Sequence, residues 1–143
     1  MKTNTSKIAS AFEKGKAFIA FVTGGDPSLK DTERYVLTLA AAGADLIEIG
    51  IPFSDPIAEG PVNQAADLRA LAAGTRTADI LDLVRRLRAQ SQVPLVLMTY
   101  LNPVFHYGYE AFFAAAADAG VDGIIIADLP FEERGELVSI AAA

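Results

Sequence analysis

Four short runs constrain this chain more than anything else in it. Ala17 to Thr23, Leu46 to Ile49, Pro94 to Tyr100 and Gly123 to Ala127 each have the length of a strand and are almost uniformly apolar. A strand with one wet face alternates apolar and polar residues. Runs without that alternation fit strands covered on both faces, as in parallel α/β sheets. Helical patterns separate the runs. Asp26-Pro27-Ser28 supplies a cap and a first-turn proline for one helix, which continues through Tyr35, Val36, Leu39 and Ala40 to Gly43. A second helical region, Val62 to Gln90, breaks at Gly74. Its apolar stripe is Ile80, Leu83, Val84 and Leu87, with Arg85, Arg86 and Arg88 pointing away. A third runs from Tyr107 to Ala119 and stops at Gly120, and a fourth starts near Phe131. Upstream, Ile8, Ala9 and Phe12 form a short amphipathic helix between Thr5 or Ser6 as N-cap and Gly15, expected to pack on the rest.

The chain also echoes itself. Ala42-Gly43-Ala44-Asp45 leads into Leu46, and Ala119-Gly120-Val121-Asp122 leads into Gly123, 77 residues later. That distance holds two βα units of ordinary size. The expected order is one helix and then four βα units, with right-handed crossovers laying the strands side by side. Two architectures accept that order. One is a doubly wound open sheet; the other is a (β/α)8 TIM barrel, which takes ~250 residues. Residues 1–143 would be a single domain holding the N-terminal helix and the first four βα units, the N-terminal half of a barrel. The sequence ends without a helix-stop signal, so the chain is expected to belong to something longer.

Charge and cysteine content narrow the function. A net charge of −6 gives neither nucleic acid nor an anionic membrane the cationic face it needs. There is no cysteine, hence no disulfide framework or thiolate metal site. Met1 to Lys16 lacks the apolar core of a secretory signal, and no run reaches the ~18 apolar residues of a membrane span. A cytoplasmic location is expected.

Ligands of parallel α/β folds bind at the C-terminal ends of the strands. Here those ends carry Thr23, Glu48, Tyr100-Leu101-Asn102 and Asp128, and the strand starts carry nothing comparable. Glu48 stands between Ile47 and Ile49. A buried, unpaired carboxylate costs several kcal/mol or takes up a proton, which suits a group that gives and takes protons near neutral pH. The alternative is a structural Glu paired with a Lys or Arg. The segment after it, Gly50 to Pro61, holds three prolines and two glycines, so it reads as a shaped loop. It presents Asp55 and Glu59, although Asp55 before Pro56 also suits a plain turn. Gly24-Gly25-Asp26-Pro27 lacks the Lys and Ser/Thr of a phosphate loop and reads as a tight turn with a helix cap. His106, the only histidine, has no ligating partner, falls at a loop and helix start, and suits a surface role.

Phe21-Val22-Thr23, Leu46 to Pro56, Gly60-Pro61, Tyr100 to Phe105 and Ala127-Asp128-Leu129-Pro130 together resemble the tryptophan synthase alpha chain family. The resemblance runs from about Phe18 to the last residue, is most specific between Glu48 and Asp55, and covers the first half of that family's barrel. It implies a carbon–carbon lyase of tryptophan biosynthesis: retro-aldol cleavage of indole-3-glycerol phosphate to indole and glyceraldehyde 3-phosphate. It implies that Glu48 is the mobile acid/base. The family's second acid, an aspartate that accepts from the indole N–H, falls at Glu59, one methylene longer. Phe21, Thr23 and Tyr100 would line the indole end of the pocket. Pro52, Asp55, Asn102, Phe105 and Asp128 would touch a partner beta chain in an α2β2 complex. Pyridoxal phosphate belongs to that beta chain, and no cofactor or metal is expected in this one. Two other readings compete: a related barrel acting on another sugar phosphate, which would not need the Pro52 to Pro56 loop, and a non-catalytic half-barrel that docks on a partner. A half-barrel without its phosphate site is expected not to turn over alone.

Overall fold

The computed structural model describes residues 6–142. Strands β1 (Ile19–Thr23), β2 (Leu46–Gly50), β3 (Leu95–Thr99) and β4 (Gly123–Ile126) form one parallel sheet in chain order. A doubly wound sheet reverses its order at a switch point; this one does not, and the barrel-type arrangement is the one observed. Between the strands lie α2 (Leu29–Ala41), α3 (Pro61–Ala72), α4 (Thr77–Arg88), α5 (Leu101–Tyr107) and α6 (Tyr109–Ala119); α1 (Lys7–Ser10) precedes β1 and α7 (Gly135–Ala141) follows β4.

Register sorts the strand residues into two faces, because side chains alternate along each strand and stay aligned across it. Ala20, Ile47 and Leu95 form one row, and Val22, Ile49, Leu97 and Ile124 the next. These rows lie under the helices and join Val36, Ile80, Leu83, Val84, Leu87, Phe112, Ala116 and Ala119 in one core. Ile47, Ile49, Leu95, Leu97 and the expected α4 stripe are fully buried, each contributing roughly 1.5–3 kcal/mol. The opposite, concave face carries the row Phe21, Glu48, Val96, Gly123 and above it Thr23, Gly50, Met98, Ile125. No helix covers this face above its base, and Ile19 and Ile125 stay 41% and 40% exposed there.

At the base, α1 is capped by Ser6, whose hydroxyl accepts from the Ala9 N–H at 3.1 Å. Thr5, the other expected cap, lies outside the described residues. Ile8 sits so close to Gly123 that a β-carbon there would fall 2.7 Å from Ile8 Cδ1. Phe12, expected to pack with Ile8, is instead 48% exposed.

Four local expectations need correction. The helix predicted from Tyr107 to Ala119 is the second of two. Leu101–Tyr107 is already helical, and Gly108, at φ +94°, separates α5 from α6. Pro103 stands in the first turn of α5, where proline removes no helical hydrogen bond. His106 is therefore on a helix, and exposed. The cap of α2 is Ser28, which accepts from the Asp31 N–H, and Asp26 is bound elsewhere. Finally, Arg88 turns inward between strand starts. It donates to the carbonyls of Gly120 (2.7 Å) and Val93 (2.6 Å) and pairs with Asp122.

Candidate active site

Glu48 is half-buried, not buried as expected, because the concave face beside it is open. Its carboxylate makes no hydrogen bond or ion pair among the described residues, so a structural pairing with Lys or Arg is not what keeps it there. Phe21 is its neighbour on β1 and leans over the next row: a methyl group on Gly50 would fall 2.8 Å from Phe21 Cζ. The absent side chain of Gly50 thus makes room for an aromatic ring beside the free carboxylate. Thr23, buried at the end of β1, stands across from Gly50.

The loop beyond β2 is tied down at several points. The Ile51 N–H donates to Met98 O at 2.8 Å and extends the sheet by one bond, and Pro52 is buried behind it. The turn after β1 is clasped to the same place. The Gly24 N–H donates to Gly50 O at 2.8 Å, and a side chain at Gly24 would strike that carbonyl and Ile80. Gly25, at φ +88°, fits against Thr75 and donates to Thr32 Oγ1. This is the tight turn expected of Gly24-Gly25, with no phosphate-loop character.

Tyr100 does more than line a wall. Its ring stacks at a tilt on Phe53 (5.3 Å between centroids), and its hydroxyl accepts from the Ala58 N–H at 3.0 Å. It is 1% exposed, and burial pushes its phenol above the usual tyrosine range. The Ala58 bond opposes that push, and the carboxylates of Glu59, Asp67 and Asp128 add to it. Gln64, in the first turn of α3, donates to Glu59 O at 2.8 Å. The loop carrying Glu59 is thus held by β3 on one side and α3 on the other.

Glu59 Oε2 is buried and has no hydrogen-bond partner among the described residues. Against Glu59 lies a residue the sequence reading missed. Asp67, on α3, is 4% exposed, and its carboxyl lies near that of Glu59. Burial first, then the Glu59 charge and hydrogen bond, then Asp26, push its pKa from 3.8 to about 7. A signal existed: Ala66, Asp67 and Ala70 form the buried stripe of α3, and an aspartate in a stripe of alanines is out of place. Asp26 behaves oppositely. Arg69 grips it with Nε and Nη2, at 2.8 and 2.7 Å, and holds its carboxyl below the usual range.

The other strand-end residues face outward. Asp55, Asn102 and Asp128 are exposed, and Phe105 is 67% exposed with its ring edge-on to Tyr109. Asp128 accepts from the Leu101 N–H at 2.7 Å and so ties β4 to α5. Pro52 is the exception in this group, since its own chain covers it.

A parallel sheet in chain order with helices outside it makes this a chain of the (β/α)-barrel class. Comparison with known proteins refines that. Residues 8–143 match the family model described as tryptophan synthase alpha chain, and the chain belongs to that family. The alpha chain of Lacticaseibacillus casei is 52% identical over 136 residues, which is 95% of this chain and 51% of that protein. Tryptophan synthase subunit alpha from Legionella pneumophila superposes with a TM-score of 0.92 at 41% identity, over 96% of this chain and 55% of the other. A tryptophan synthase complex from Pyrococcus furiosus contains a chain matching at TM-score 0.84 and 41% identity, over 88% of this chain and 52% of that one. The chain thus spans about half the length of the relatives it matches.

Proposed function

We propose that this chain forms, as one domain, the half of a barrel lyase that carries the acid–base groups for cleaving indole-3-glycerol phosphate into indole and glyceraldehyde 3-phosphate. The observation that carries the reading is Glu48: a carboxylate without a partner among the described residues, on the concave face at the middle of β2, beside Phe21 and the space left by Gly50. The reaction breaks the bond between the indole ring carbon and the glyceryl carbon that bears a hydroxyl. The ring carbon gains a proton, the hydroxyl loses one, and that carbon leaves as the aldehyde. A carboxylate free to turn between the two positions can serve both transfers. Glu59 accepts from the indole N–H and stabilises the ring as its electrons shift. Phe21, Thr23 and Tyr100 bound the indole end.

The phosphate end lies outside these residues, since barrels of this type commonly bind phosphate with loops after strands 7–8. Asp55, Asn102, Phe105 and Asp128, exposed at the same end, would meet a beta chain as in the α2β2 family complexes, with Pro52 supporting them from beneath. No cofactor of its own is assigned to this chain. Among the described residues no helix is long and apolar enough to cross a membrane, which is compatible with a cytoplasmic enzyme.

The test is a completed barrel, in which this chain is joined to the remaining half of the Lacticaseibacillus casei alpha chain. Indole release is followed with and without Glu48→Gln. The substitution keeps the shape and removes the proton transfer, so turnover should fall by about 10²-fold or more while beta-chain binding persists. Unchanged turnover would overturn the assignment of Glu48. Binding without any turnover in the parent would favour the docking module.

A further inference from the structure

Glu59 Oε2 poses a problem that its family role does not answer. It is a buried acceptor with nothing to accept from among the described residues, and a buried polar group left unpaired is destabilising. Among the described residues no N–H or cationic side chain reaches it: the Gln64 amide goes to the Glu59 carbonyl, and Tyr100 makes no bond to the carboxyl. Every charged or titratable group facing the pair is acidic or already engaged. Glu59 comes from the loop, Tyr100 from the end of β3, with Asp128 beyond it. Asp26 comes from the β1–α2 turn and occupies Nε and Nη2 of Arg69. Among the described residues the donor left is a protonated carboxyl, and the Asp67 carboxyl lies nearby and is 4% exposed.

We propose that Asp67 is a positioning residue for Glu59: the two carboxyls share one proton, and this bond holds the far oxygen of Glu59 against α3. The proposal rests on the reading of Glu59 as the second acid, but its existence as a pair does not. Two adjacent carboxyls in a poorly solvated site cannot both ionise cheaply, so the pair keeps a proton that a lone carboxylate would release. The longer Glu59 side chain is what lets a loop residue reach the helix. With one oxygen anchored, the other is left to face the pocket as an acceptor. Loss of the shared proton at higher pH would put two repelling charges there and release the anchor.

Carboxyl-selective ¹³C NMR titration of the completed barrel, and of the 143-residue chain, tests this directly. One carboxyl should hold its proton to near-neutral pH, and Asp67→Asn should abolish that titration. The asparagine amide donates to Glu59 without titrating. Indole release by Asp67→Asn should therefore stay near the parent rate and lose any activity change centred where the pair titrates. Asp67→Leu, which cannot donate, should lower kcat by about tenfold or more. Rescue by asparagine but not leucine separates positioning from packing. The absence of a near-neutral carboxyl in the parent, or its persistence in Asp67→Asn, would overturn the pair. If no variant or parent releases indole, the lyase reading fails while the NMR result still decides the pair.

Discussion

Two aspartates about one helix apart show how completely surroundings decide what a carboxyl does. Asp26 meets Arg69 and is held below 3.8; Asp67 is buried against Glu59 and is pushed to about 7. The signs for stability follow. Asp26 has a lowered folded pKa, so its contribution is full above the unfolded value and vanishes as pH falls through the lowered one. Asp67 has a raised folded pKa. Between 3.8 and about 7 the unfolded chain has released a proton that the folded one retains, so stability falls as pH rises through that window. Opposite trends are expected from the two amide variants in urea denaturation of the completed barrel. Asp26→Asn should cost about 0.5–1 kcal/mol at pH 7, since Arg69 is largely exposed and the pair is screened, and nothing near pH 2. Asp67→Asn should gain on the order of 2 kcal/mol at pH 8 and match the parent below pH ~4. Parallel pH trends in the two variants would show that Asp67 does not carry the retained proton.

The sequence echo has a structural cause at the level of elements. In both copies a helix ends, a glycine at φ +97° (Gly43) or +87° (Gly120) turns the chain, and an aspartate precedes the next strand. Each aspartate clamps the start of the preceding strand. Asp45 accepts from the Phe18 N–H at 2.8 Å, and Asp122 from the Leu95 N–H at 2.9 Å. The echo therefore marks the N-terminal rim of the sheet, which serves stability, and not the site at the opposite rim. The copies differ in their partners: Asp122 also pairs with Arg88 and, at 3.9 Å, with Lys7, and the Asp122 and Arg88 side chains are only 15% and 13% exposed. Removing Asp122 strands a buried guanidinium, so Asp122→Ala should cost about 3 kcal/mol. Asp45→Ala loses a single hydrogen bond and should cost about 1 kcal/mol. Equal losses in chemical denaturation would contradict this account of the clamp. The same comparison explains what could be read in advance. Strand order and the Gly–Asp turns are written in contiguous residues with a clear period, whereas Glu48, expected at a strand end, is the middle residue of β2. Helix α5 was hidden because Asn102-Pro103 suits a turn as well as a first helical turn. Asp67 was hidden because its meaning comes from Glu59, which sits on another element, and the inward turn of Arg88 likewise depends on carbonyls 32 and 5 residues away.

For the whole molecule the deciding fact is a sheet with two free sides. Among the described residues β1 pairs only with β2, and β4 only with β3. The unpaired backbone groups on such edges are templates for another strand. Apolar surface lies beside them: Phe18 is 58% exposed, Ile19 41% and Ile125 40%. Next to β4 a recess of about 360 Å³ is lined by Phe113, Ile124, Ile126, Leu129, Phe131 and Leu137. Against association stands a net charge of −6, which keeps copies apart. The two effects respond differently to salt. Charge repulsion is screened within ~8 Å at physiological ionic strength, whereas edge pairing and apolar contact are not weakened by it. The isolated 143-residue chain should therefore self-associate in sedimentation experiments, more strongly as salt is raised, and release no indole. The completed barrel closes both edges, so it should sediment as a single barrel at every salt concentration and be the form that turns over. A salt-independent 15.1 kDa monomer with lyase activity would show that four βα units suffice, and that the concave face around Glu48 binds and cleaves substrate without being enclosed.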